Sequence, residues 1–218
     1  MTAFTVAVSA GHHPAAKGAT FNGVSEYDES VPWQQTIVDM LNDFSKGDPN
    51  IYLIGKLIGT GKLPSKVAEI NAIKAVDLAI EIHFNAGGDK STRGTETLFC
   101  PDSEAGFTAA KVMNKAVVSS MGKNAKNRGI KEGWYKMDRP GVKDYNGDVD
   151  GDENPDYFLA KTRPVALILE PEFMQQIETI QECREPACRA ICGAIYNLAD
   201  RKHYLYNLPP EKRPSGLK

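Results

Sequence analysis

The chain has 218 residues, of which 41% are hydrophobic and 25% charged, enough to bury a sizeable core within one domain. A net charge of -2 and a pI near 6.1 exclude broad electrostatic attraction to nucleic acid or anionic lipid, so partners must be read from a site. No apolar run reaches the roughly 18 residues that cross a bilayer, and the first residues lack the basic and apolar stretches of a secretion signal. Synthesis in the cytoplasm without membrane insertion is expected.

In chain order, residues 4–9 read as a strand that breaks at Gly11-His12-His13-Pro14, which puts polar groups at its carboxyl end. The spacing of Trp33, Ile37, Met40, Leu41 and Phe44 predicts an amphipathic helix over 32–44, started by Ser30 or the Val31-Pro32 step and stopped by Gly47. A short strand over 51–54 follows, then a helix opened by Pro64 that carries Val67, Ile70, Ile73 and Val76. Residues 77–83 form a buried strand ending on His83, 95–99 a strand and 103–121 a helix. The segment 136–157, polar and rich in Gly, Pro and Asp, reads as a long inserted loop. Residues 165–170 form a strand ending on Glu170, and 186–199 a last helix.

This alternation, with no internal repeat, predicts a single α/β domain over 1–200, with a mostly parallel, twisted sheet flanked by helices. Residues 201–218 form a tail whose end, from 208, is expected to be mobile. The four cysteines include no CxxC pair, and Cys188 and Cys192, one helical turn apart without nearby histidines, read as helix packing rather than metal ligands.

The chemistry gathers at the strand ends. A histidine at His12 or His13, Glu26 in the turn before the first helix, and His83 are the residue types that suit a catalytic zinc. Two imidazoles and a carboxylate leave the fourth tetrahedral position to water, whose pKa falls toward ~7 there. Glu170, closing the apolar run Val165-Ala166-Leu167-Ile168-Leu169, is placed as general base and acid, with apolar neighbours raising its pKa.

Gly11-His12, Gly23-Val24-Ser25-Glu26, Ile82-His83-Phe84-Asn85-Ala86 and Leu169-Glu170-Pro171-Glu172-Phe173 resemble, in order, the motifs of the zinc-dependent N-acetylmuramoyl-L-alanine amidases of the amidase-3 family. Residues 63–71, Arg93-Gly94-Thr95-Glu96-Thr97 and Asn127-Arg128-Gly129-Ile130 resemble supporting segments, so the likeness covers residues 4–199. That family has Asp-Pro before its Gly-His and Gly before the Phe of its last motif, where this chain has Ser9-Ala10 and Glu172. The resemblance implies a zinc site at the strand ends with His12, Glu26 and His83 as ligands and Glu170 as the catalytic glutamate. It further implies hydrolysis of the amide between N-acetylmuramic acid and L-alanine in peptidoglycan. Asn85 is read as a hydrogen-bonding partner of the substrate, and His13 either faces the substrate or supports the metal ligands from behind. With no secretion signal or wall-binding module, the expected setting is a phage endolysin that acts as a monomer on the host cell wall, with a bacterial enzyme exported by another route as the alternative.

Several readings compete. Another zinc hydrolase, a peptidase or a deacetylase, would use the same metal set on a different bond. A non-catalytic peptidoglycan-binding module should have lost a ligand or the glutamate, and all four are present. Glu172 is a rival carboxylate to Glu170, though a solvated or structural role suits it better. The acidic run Asp144-Tyr145-Asn146-Gly147-Asp148-Val149-Asp150-Gly151-Asp152 is similar to a Ca2+ loop but lacks the full EF-hand pattern, so a solvated loop is preferred to a calcium-dependent interaction site. Trp134, Tyr135 and Tyr145 could stack on sugar or simply pack.

Overall fold

The computed structural model describes residues 2–44, 50–135 and 154–207. Its first half runs β1 (Thr2–Ala10), the short β2 (Thr20–Phe21) and β3 (Val24–Ser25), α1 (Glu26–Phe44), β4 (Ile51–Leu57), α2 (Leu63–Ala72) and β5 (Leu78–Ile82). The second half runs β6 (Thr95–Phe99), α3 (Glu104–Ser120), β7 (Asn127–Glu132), β8 (Trp134–Tyr135), β9 (Asn154–Pro155), α4 (Tyr157–Lys161), β10 (Val165–Glu170) and α5 (Ile177–Asn207). Six strands form one sheet in the order β4-β1-β5-β10-β6-β7. The first four are mutually parallel, β6 joins β10 antiparallel, and β7 runs parallel to β6. This is the mostly parallel α/β domain expected.

Strand alternation divides the side chains between two faces. Phe4, Val6 and Val8 of β1, Leu78, Ile80 and Ile82 of β5, and Leu167 and Leu169 of β10 join a core with α1, α3 and α5. The opposite face carries Ala7, Ala79, Ala166 and Ile168, covered by Val67 and Ile70 of α2 and by Phe158 and Leu159 of α4. Three long helices close the first face. Two short ones cover only part of the second.

Two helix starts differ from expectation. Helix α1 begins at Glu26 rather than near Pro32, which lies inside it. Ser25 caps it, with Oγ accepting from Asp28 N at 3.2 Å, and an acidic first turn of Glu26, Asp28 and Glu29 suits the positive end of the helix dipole. Helix α5 begins at Ile177 and also encloses a proline, Pro186. Ile177 and Ile180 before the proline and Ala187, Cys188, Ile191, Cys192 and Ile195 after it are all buried, and that shared apolar face outweighs the ~3 kcal/mol an interior proline costs. Cys188 and Cys192 place their Sγ 3.8 and 3.7 Å from the Trp33 and Ile37 carbonyls of α1. Burial pushes the Cys192 thiol up to about 12 and Cys188 higher still, so both are protonated packing groups.

The inserted segment ends sooner than 157. Strand β9 pairs with β8 through Trp134↔Pro155 and Tyr135↔Asn154, and α4 follows with Asp156 as its N-cap, accepting from Phe158 N and Leu159 N. The Asp144–Asp152 run, with Tyr145, lies outside the described residues.

Gln34 of α1 shows how tightly helix and sheet are joined: its buried Nε2 donates to the carbonyls of Val8 and Ile58, each at 2.7 Å. Val8 O also receives Ile58 N at 3.0 Å. Gln34→Leu is therefore expected to orphan the Ile58 carbonyl and to lower urea-unfolding stability by about 1–3 kcal/mol with an unchanged m-value. A loss under about 0.5 kcal/mol would show that water reaches that carbonyl.

Candidate active site

The carboxyl ends of β1, β5 and β10 lie side by side, where open parallel sheets gather their ligand-binding groups. Backbone bonds continue the alignment past the strands: Gly11 N donates to Ile82 O at 2.7 Å and His83 N to Leu169 O at 2.9 Å. Further along the same pair of strands, Asn85 N donates to Glu172 O at 3.0 Å. His12, His83 and Glu170 are thus carried to one end of the sheet by three neighbouring strands. Glu26 arrives from the β2–β3 hairpin as the first residue of α1.

His12 Nε2 lies 2.9 Å from Glu26 Oε2, and His83 Nδ1 lies 2.8 Å from Glu26 Oε1. The three donor atoms fall within 4.8 Å of one another, the only such metal-competent group among the described residues. Getting His12 there requires a left-handed backbone, with φ of 60°. It also requires glycines. A Cβ on Gly18, itself at φ 74°, would sit 2.4 Å from His12 Nε2 and 2.7 Å from Glu26 Oε2, and one on Gly11 would sit 2.7 Å from His83 Nδ1.

Burial works against charge on Glu26, but hydrogen bonds from His12 and His83 outweigh it and bring the carboxyl down to about 2. Burial likewise disfavours a charged His83, yet its bonds to Glu26 and Glu81 hold it well above the ordinary imidazole value. A divalent cation among these atoms would replace the proton on His83 Nδ1 and leave Nε2–H facing Glu81. Two imidazoles and a carboxylate with one open side fit zinc.

Glu170 borders a cleft of about 540 Å³ together with His12, His13, Leu63, Pro64 and His83. Its side chain is half-buried as a whole, but Oε2 is shielded from water and has no hydrogen-bond partner. Burial pushes the carboxyl up to about 8; the His83 charge opposes this, while Glu26, Glu96 and Glu81 add to it. Directly across the ladder from Glu170, Glu96 is paired with Arg128 at 2.7 Å and Lys131 at 2.6 Å.

Among the residues singled out from sequence, the structure brings His12, Glu26 and His83 together and sets Glu170 beside them. His13 lines the cleft outside the trio. Asn85 approaches Glu96 and helps to hold its pKa down, but its buried Nδ2 closes no hydrogen bond. Glu172, buried and not solvated, accepts from Gly94 N and Phe173 N and braces the turn before β6. Sequence reasoning missed Glu81, Lys66 and Gly18. A lone charge inside the run Leu78-Ala79-Ile80-Glu81-Ile82 was the available signal for Glu81.

A family profile described as N-acetylmuramoyl-L-alanine amidase matches residues 6–199. No curated protein matches the sequence significantly. Solved structures share the fold. The amidase AmiC2 of Nostoc punctiforme superposes with a TM-score of 0.71 at 17% identity, covering 91% of this chain and 98% of that one. An N-acetylmuramoyl-L-alanine amidase from Clostridium difficile 630 gives 0.70 at 18% identity, covering 92% and 98%. The catalytic domain of an endolysin targeting Clostridia Difficile gives 0.64 at 18%, covering 89% and 97%.

Because the Glu170 carboxyl titrates near 8 when folded and near its ordinary 4.5 when unfolded, its contribution to stability is complete below about pH 4.5 and is lost as pH rises through about 8. Urea unfolding of the cation-free protein across that window should show the wild type losing up to a few kcal/mol relative to Glu170→Gln. Parallel stability curves would place Glu170 in water.

Proposed function

Since the chain belongs to the family of N-acetylmuramoyl-L-alanine amidases, we propose that it cleaves the amide between N-acetylmuramic acid and L-alanine in peptidoglycan with one zinc ion held by His12, Glu26 and His83 and with Glu170 as general base and acid. The carrying observation is the convergence of the three donor atoms within 4.8 Å, at the edge of the cleft that Glu170 lines.

Bound there, zinc supplies a Lewis acid for the scissile carbonyl and brings a water's pKa toward neutrality. Glu170, whose carboxyl borders the cleft, takes the water's proton and returns it to the L-alanine nitrogen as the C–N bond breaks. Burial lifts this carboxyl from 4.5 to about 8 in the cation-free site, and the charge of a bound cation would draw it back down, leaving a carboxylate able to accept that proton and then give it up. His13, on the cleft wall, and the unsatisfied Asn85 amide are assigned to holding the substrate's polar groups.

Purified peptidoglycan provides the test, read as turbidity loss and as new L-alanine amino termini. Wild type should release those termini, lose the activity to a chelator and recover it with zinc. Glu170→Ala should still bind zinc while its turnover falls by about 10²–10⁴-fold. A zinc-loaded wild type that frees no L-alanine amino terminus from any wall type would overturn the assignment in favour of another zinc hydrolase or a binding module.

A further inference from the structure

Beneath the candidate metal centre lies a buried ion pair that the proposed reaction does not use. Glu81 is the only acidic residue of β5, 3% exposed, and Lys66, in the first turn of α2, is 2% exposed. Each polar atom of the pair is occupied. Lys66 Nζ donates to the carbonyls of Ala10 and His12, the latter at 2.6 Å, and lies 3.3 Å from Glu81 Oε1. Ser9, opposite Glu81 in the ladder, donates from Oγ to the same oxygen at 3.2 Å. The remaining oxygen, Oε2, faces His83 Nε2 at 3.3 Å.

A buried ion pair of this kind is a poor source of stability, because desolvating two charges costs about as much as their attraction returns. What this pair does is direct atoms. Imidazole bound to a metal through one nitrogen carries its proton on the other, and an acceptor at that proton fixes both tautomer and ring angle. Glu81 Oε2 is such an acceptor on the Nε2 side of His83, while Nδ1 faces Glu26. Lys66, bonded to the backbone of Ala10 and His12, also ties down the segment that carries the other imidazole.

We propose that Glu81 is a positioning residue that accepts from His83 Nε2–H and so presents Nδ1 to the metal, with Lys66 holding Glu81 and the His12 backbone in one frame. This rests on the zinc site proposed above. Removing Glu81 alone would strand the Lys66 charge in the core, so the test compares two double variants from which both charges are gone. Glu81→Gln with Lys66→Met keeps an acceptor for His83; Glu81→Leu with Lys66→Met has none.

Zinc affinity is measured by competition with a chromophoric chelator, alongside the visible spectrum of the cobalt-loaded proteins and thermal melting. The Leu double should bind zinc about 10–100-fold more weakly than the Gln double and shift the cobalt spectrum, although both melt cooperatively at similar temperatures. Equal affinities and equal spectra in the two doubles would overturn the positioning role while leaving the site intact. If wild type binds no zinc, or His83→Ala binds it as wild type does, the metal site itself falls and the positioning role with it.

Discussion

A carboxylate set against a protein core is costly unless donors satisfy both of its oxygens. Glu26 meets that condition with four groups from three places in the chain. Oε1 receives His83 Nδ1 at 2.8 Å and Phe84 N at 3.1 Å; Oε2 receives His12 Nε2 at 2.9 Å and Ala19 N at 3.4 Å. Much of the local architecture follows from assembling those donors. The β2–β3 hairpin brings the chain back so that α1 starts on Glu26, Gly18 leaves room for His12 to approach, and Ser25 caps the helix whose positive end stabilises the carboxylate.

The same constraint links packing to function through the unequal faces of the sheet. One face is sealed by α1, α3 and α5, with Trp33 and Phe84 in edge-to-face contact at 5.4 Å between centroids. The other carries Ser9 and Glu81 on β1 and β5 beneath α2, with Glu170 at the neighbouring end of β10. The 10-residue α2 and 5-residue α4 cover it only in part. The cleft opens where they stop. Polar groups beneath the helices are paired and fixed, whereas Glu170, which borders the cleft, keeps its Oε2 without a partner. That contrast separates groups that build the site from one free to exchange a proton.

Much of this was legible in the sequence because strong local signals agreed with the fold. Residues 95–99 and 165–170 coincide with β6 and β10, and 103–121 is α3 with its two caps, Ser103 accepting from Gly106 N at the start and Met121 closing the end. His12, Glu26, His83 and Glu170 could be named because each follows or closes a recognisable motif. Pro32 and Pro186 misled, since a proline resembles a helix start and only the tertiary burial of residues on both sides shows that the helix runs through it. The acidic first turn after Ser25 was the truer marker. Strand β7 was hidden because, with only Gly129 and Ile130 partly buried, it has little hydrophobic alternation. Lys66 was missed for a different reason: in an amphipathic helix it reads as a solvated charge, and only its pairing with Glu81, the lone charge of an apolar strand, makes it core.

The most direct test of the central claim, that His12, Glu26 and His83 together hold one metal ion, is an anomalous difference map at the zinc edge from crystals of the zinc-loaded protein. The account predicts a single peak about 2.0–2.2 Å from His12 Nε2, His83 Nδ1 and a Glu26 oxygen, with the fourth side open toward Glu170. A peak on other residues, or none at this trio in protein shown to retain zinc, would contradict it.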